Sequence, residues 1–133
     1  MTTTKFRNEI AIALNERGVE VRADQMGDLL LAFERWPKGD WRPVFDGLAD
    51  GGCQAEHWGY CLKGAGRVHN KDGSVSEIRA GQVYHVPPGH TFETLEDMDV
   101  VEWTRPHAAY EKDVEVMMAN FHGMKAVAPP SRR

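Results

Sequence analysis

A ten-residue run, Gly81-Gln-Val-Tyr-His-Val-Pro-Pro-Gly-His90, constrains this chain more than any other part of it. Its glycines permit backbone angles that other residues resist, and Pro87 and Pro88 fix φ at a corner. The corner carries His90 on a rigid mount at the start of the next extended segment. Upstream, His57-Trp-Gly-Tyr-Cys-Leu-Lys-Gly64 has the same character, a histidine entering a β-run that ends in glycine. Two such segments around a Gly-rich middle point to a small closed β-structure with a polar interior.

The remaining pattern fits around these segments. Phe6, Ile10, Ala13 and Leu14 share one helical face, so a helix is predicted over 5–17 with Gly18 as its stop. Alternation predicts a short strand at 19–21, and the apolar run 29–33, flanked by Gly27-Asp28 and Trp36-Pro37, reads as another. A single helical turn is expected at 43–48. Further strands are expected at 53–62, 67–70, 74–79, 82–86, 92–95 and 100–104. Lys71-Asp-Gly73 marks a hairpin between two of them. Short strands with frequent turns imply a barrel or sandwich. Tyr110, Val114, Met117, Met118 and Phe121 form one stripe of a helix over 110–121, and 127–133 reads as a frayed tail. The expected architecture is one all-β domain over 1–133, a barrel at about 19–104 with a short α-helix at each end.

Composition narrows the function. A length of 133 residues suits one core. A net charge of −4, with scattered basic residues, argues against broad nucleic-acid binding. No apolar run approaches the ~20 residues that cross a bilayer. The N-terminus lacks the apolar core of a signal peptide, so a cytoplasmic protein is expected, with no membrane partner. If Cys53 and Cys61 share one extended strand they are too far apart to bridge, and free thiols fit a reducing compartment. No nucleophile elbow, phosphate loop or dinucleotide fingerprint is present.

Gly81, five residues, then Pro87-Pro-Gly89 resembles the second motif of the cupin family, and Tyr60-Cys-Leu-Lys-Gly64 is similar to the strand closing the first. The resemblance covers about residues 50–104. It implies a jelly-roll β-barrel holding a small molecule, and a homodimer with the tryptophan-bearing outer sheet as candidate interface. The family's usual ligand set is altered. Phe92 occupies the second motif's histidine slot, with His90 two positions earlier. Alignment on Gly64 puts His57 in the glutamate slot and Gly51 and Cys53 in the two leading histidine slots. A similar Cys-x-x-x-His-Trp-Gly-Tyr and Pro-Pro-Gly-His pattern characterises a branch of small bacterial cupins.

Side chains alternate along a strand, so Cys53 and His57, four apart, share a face if both lie on one strand. His90 shares the parity of the family's slot. Cys53, His57 and His90 are therefore candidate metal ligands. Thiolate and imidazole favour zinc first, then iron, nickel or copper. Glu102 is the candidate ligand, base or orienting acceptor. The same residues also fit a metal-free barrel in which the histidines bond each other or backbone and Cys53 is a small buried hydrophobe. Val83 and either Tyr60 or Cys61 are expected to line the pocket, parity preferring Cys61. Trp58 and Trp103 should face outward, and so should Glu56. His69, His107 and His122 are expected at the surface; His85 has no assigned side. Two functions follow: a metal-dependent enzyme acting on a small polar metabolite, or a binding or sensing module without metal.

Overall fold

A computed structural model describes residues 1–132. It contains β1 (Ile12–Glu16), β2 (Val19–Met26), β3 (Leu29–Trp36), β4 (Gly39–Asp40), β5 (Glu56–Lys63), β6 (Ala65–His69), β7 (Val75–Arg79), β8 (Val83–Val86), β9 (Thr91–Thr94), β10 (Met98–Arg105) and helix α1 (Tyr110–Gly123). One antiparallel sheet has the order β1-β2-β3-β10-β5-β8 and the other β4-β9-β6-β7. The two sheets face each other as a jelly-roll barrel. Alternation decides what enters it: Glu102 pairs with Ala32 and Gly59, Thr104 with His57, and His57 with Val86, so these residues share the inner face.

The N-terminal helix expected over 5–17 does not form. Arg7–Glu9 makes one 3-10 turn, and the chain then enters β1. Gly18 is a hairpin residue, not a helix stop. Arg17 and Gly18 both have positive φ, 55° and 80°, and Glu16 pairs with Val19 across them. Positive φ at both central residues gives the turn twist that suits a two-residue hairpin. The barrel thus begins at Ile12 rather than at residue 19.

The C-terminal helix forms, over Tyr110–Gly123, and lies across one end of the barrel. Phe121 is fully buried against Trp41, and Asn120 Nδ2 donates to the Val44 and Asp46 carbonyls at 2.9 and 2.8 Å. Burying a phenylalanine is worth ~1.5–3 kcal/mol, so this one residue anchors the helix.

The tail expected to fray is tied down through Ser131. Asp40 N donates to Ala128 O at 2.8 Å, and Val127 packs on the core. Ser131 N and Oγ both donate to Glu93, while Arg67 donates to Ser131. Arg133 lies outside the described residues. Glu93, enclosed under this strap, is also met by Arg42, Arg67 and His69. His69 is accordingly no free surface residue: its Nε2 lies 2.6 Å from Glu93 Oε2.

Two apolar clusters close the barrel. Val19, Trp41, Val44, Phe45 and Phe121 pack under α1. Cys61, Val68, Ile78, Val86, Met98 and Val100 fill the other end. Between them lies a cavity of about 360 Å³. No helix among the described residues is long and apolar enough to cross a membrane.

Candidate functional site

Cys53 precedes β5 rather than lying on it, joined to the Pro-Pro-Gly corner by a single bridge. Cys53 N donates to His90 O at 2.7 Å, and Gly89 N to Cys53 O at 2.6 Å. Gly89 has φ +93°, a conformation that suits glycine. Gly52 lies against the same corner: a Cβ there would stand 2.6 Å from the Gly89 carbonyl. The two histidine-bearing segments of the sequence are therefore locked to each other by backbone.

This lock brings Cys53, His57 and His90 together. Their candidate donor atoms all lie within 4.8 Å of one another. Cys53 Sγ is 3.6 Å from His57 Nε2, and the two imidazole rings are 5.0 Å apart at 73°. His90 Nδ1 is 2.9 Å from the Pro87 carbonyl, which can only accept, so Nδ1 carries the proton and Nε2 is free. His57 Nδ1 is 2.8 Å from Thr104 Oγ1 and 3.1 Å from Glu102 Oε1, which likewise leaves Nε2 for the cluster. Burial pushes both histidines down to about 4, so both rings are neutral with lone pairs available. Burial pushes the Cys53 thiol up to about 12.

The second polar feature is a carboxyl pair. Glu102 on β10 and Glu34 on β3 project from neighbouring strands into the cavity. Trp36 Nε1 donates to Glu34 Oε1 at 2.8 Å. Glu34 keeps some accessible surface, but that surface is cavity wall deep in the barrel. Burial, joined for Glu34 by the Glu102 charge, raises both carboxyls to about 7. Tyr84 on β8 hydrogen-bonds Glu102, partly offsetting its shift.

Glu34 was not among the sequence candidates, though a parity signal existed. Leu30, Ala32, Glu34 and Trp36 alternate inward, and the predicted strand stopped at residue 33, one short of the acid. Two expected lining residues do not line the cavity. Val83 is 79% exposed, because β8 turns Tyr84 and Val86 inward and Val83 and His85 outward. Tyr60 points out, while Cys61 points in but is sealed in the apolar end cluster, its thiol donating to Lys63 O. Glu56 lies on the outer face as expected, 2.7 Å from His85 Nε2. Trp58 stacks beside His85 at 5.3 Å on that face. His122 is exposed beside Glu16, and His107 sits 3.5 Å from Asp113.

No family model matches the chain, and no curated protein matches it in sequence. Solved structures do match. Ectoine synthase from P. lautus has a TM-score of 0.58 at 15% identity, over 98% of this chain and 91% of that one. An RmlC-like cupin from Shewanella frigidimarina NCIMB 400 has a TM-score of 0.57 at 16% identity, over 81% of this chain and 94% of that one. A variant of oxalate decarboxylase from Bacillus subtilis scores 0.58 at 17% identity, over 94% of this chain but 39% of that one. At these identities the likeness is one of fold.

Proposed function

We propose that this chain, a single-domain cupin in fold, binds a small molecule in its barrel beside a divalent metal held by Cys53, His57 and His90. One observation carries the reading: three donors from two remote segments converge, with each imidazole oriented through Nδ1 by an oxygen. The donor set fits zinc first, with iron, nickel and copper behind it. Zn–S of ~2.3 Å and Zn–N of ~2.0–2.1 Å place tetrahedral S and N ligands about 3.5 Å apart. Cys53 Sγ and His57 Nε2 stand 3.6 Å apart. A metal there would ionise the thiol and polarise a bound oxygen.

The chain's own groups supply the rest. Glu102 orients His57, and Glu34 and Glu102 hold a proton between them that can pass to or from a bound molecule. Elemental analysis after purification without added metal tests the reading. About one zinc per chain is expected, with loss of metal in Cys53→Ala and His90→Ala. A metal-free protein whose two variants keep full ligand binding would end it.

The apolar wall of Leu30, Val44, Phe45, Phe92 and Met117 also supports the second reading, a binding or sensing module without metal. That module would be stabilised saturably by ligand without turnover. A homodimer through the outer face of the larger sheet belongs to either reading, as does a cytoplasmic setting, which the free thiols of Cys53 and Cys61 suit.

A further inference from the structure

The cavity wall is unbalanced in charge. Glu34 and Glu102 project into it side by side. Arg67 is the one arginine or lysine among the described lining residues. It is already spent: its guanidinium lies 3.4 Å from Glu93 and donates to Ser131 Oγ at 2.9 Å. Arg67 and Glu93 also alternate away from their inward neighbours Val68 and Phe92, toward the C-terminal strap. Among the described residues lining the cavity, no free lysine or arginine is therefore left to receive an anionic ligand. Two carboxyls enclosed together are satisfied by a shared proton or by a positive partner that takes its place.

The rest of the wall suits such a partner. Trp36, Phe45, Tyr84, Phe92 and Tyr110 line the cavity. Trp36 contacts both the acid and the aromatic cluster: its indole N–H holds Glu34, and its ring lies 4.9 Å from Phe92. Aromatic faces attract ammonium groups within ~6 Å, more strongly when water is excluded. The volume, about 360 Å³, admits a compact organic molecule. With both carboxyls ionised, a divalent ion on a Cys53 thiolate would leave one positive charge against two carboxylates, and one negative charge would still face the ligand.

We infer that the ligand of this cavity is an organic ammonium ion with an apolar body, its cation received between the Glu34–Glu102 pair and the Trp36 ring. The inference rests on the barrel being the ligand site, as proposed above, and stands with or without a metal.

Three probes of similar size and different charge separate the possibilities: 2-phenylethylammonium, 2-phenylethanol and phenylacetate. Titration calorimetry on the full chain near neutral pH is expected to rank the cation at least tenfold tighter than the alcohol, with phenylacetate weakest. Glu34→Gln should lower cation affinity at least tenfold relative to that of 2-phenylethanol. Trp36→Phe should cut cation affinity severalfold, and thermal melts check that both variants fold. Phenylacetate binding best, equal affinity for cation and alcohol, an unaltered preference in Glu34→Gln, or no binding of any probe would overturn the inference. Metal content measured on the same samples keeps the two ideas apart. A metal-free protein that prefers the cation sinks the metal centre alone, and a metal-loaded protein that prefers phenylacetate sinks this inference alone.

Discussion

Single residues in this barrel matter according to what encloses them, and Glu93 is the clearest case. It is 0% exposed. Burial pushes its carboxyl up, but hydrogen bonds from Ser131 N–H and His69, with the Arg42 charge, outweigh burial and hold it at about 2. The folded state therefore binds fewer protons than the unfolded chain between the ordinary carboxyl range near 4.5 and about 2. The stability Glu93 contributes is complete above the unfolded value and is lost as pH falls through that window. Glu93→Gln is expected to cost about 2 kcal/mol at neutral pH, the scale of hydrogen bonds to a charged group. It should also flatten the acid limb of the stability curve. Urea melts from pH 6 to pH 2.5 on both proteins check this, and parallel curves would refute it. Cys53, His57, His90 and Glu102 were legible as candidates because each sits beside a glycine, a proline corner or an apolar strand, although the shared strand assumed for Cys53 does not hold, since it precedes β5. Glu34 and Glu93 were not legible. An acid in a strand reads as a solvent-facing residue unless one knows that a facing sheet or a returning tail covers it.

At the scale of elements, the corner against the Cys53 segment sets the geometry of the metal-ligand candidates. Gly52 is extended, at φ −141° and ψ 166°, so alanine there meets no backbone strain. Its Cβ would instead strike the Gly89 carbonyl at 2.6 Å. Gly52→Ala is expected to part the two segments, cost ~1–3 kcal/mol as an overpacked contact and reduce metal uptake. Gly73→Ala is the control. It carries φ +88° in an open hairpin with nothing near its Cβ, so it should cost about 1 kcal/mol and leave metal uptake intact. Thermal melts with metal titration separate the two, and equal metal uptake in both variants would contradict the account. Elements also show where local pattern misleads. Phe6, Ile10, Ala13 and Leu14 satisfy a helical period, yet Phe6 is exposed and of the four only Ile10 is buried, with Leu14 packed against the core. Arg17-Gly18 overrides the period by folding β1 back on β2, and Arg-Gly is not the Asn-Gly signal that marks such turns. The tail failed to read as ordered for a related reason: its partners, Asp40, Arg67 and Glu93, lie far away in sequence.

At the scale of the molecule, the barrel has two faces with opposite habits. On the four-stranded sheet the strap and its charged network lie on β4, β6 and β9, while β7 stays exposed. The six-stranded sheet leaves apolar side chains uncovered along β5, β8 and β10: Tyr60 is 39% exposed, Leu62 50%, Val83 79% and Trp103 37%. The cavity is served by inward residues alone, so nothing in the proposed chemistry uses this outer row. A second copy placed against it would cover the row with its own equivalent, as a twofold contact requires. A stable contact needs roughly 800 Å² from each partner, with an apolar centre and charged rim. The rim is present as Glu56 with His85 and Arg35 with Asp99. The protein is therefore expected to sediment as a dimer at micromolar concentration, with a melting temperature that rises with concentration. Leu62→Glu combined with Val83→Glu should yield a monomer, because charges cannot be buried unpaired at the centre of such a contact. Metal uptake and probe binding should survive in that monomer, since both residues lie on strand faces turned away from the cavity. A wild-type protein that is monomeric at tens of micromolar, or a double variant that remains a dimer, would remove this face from the assembly.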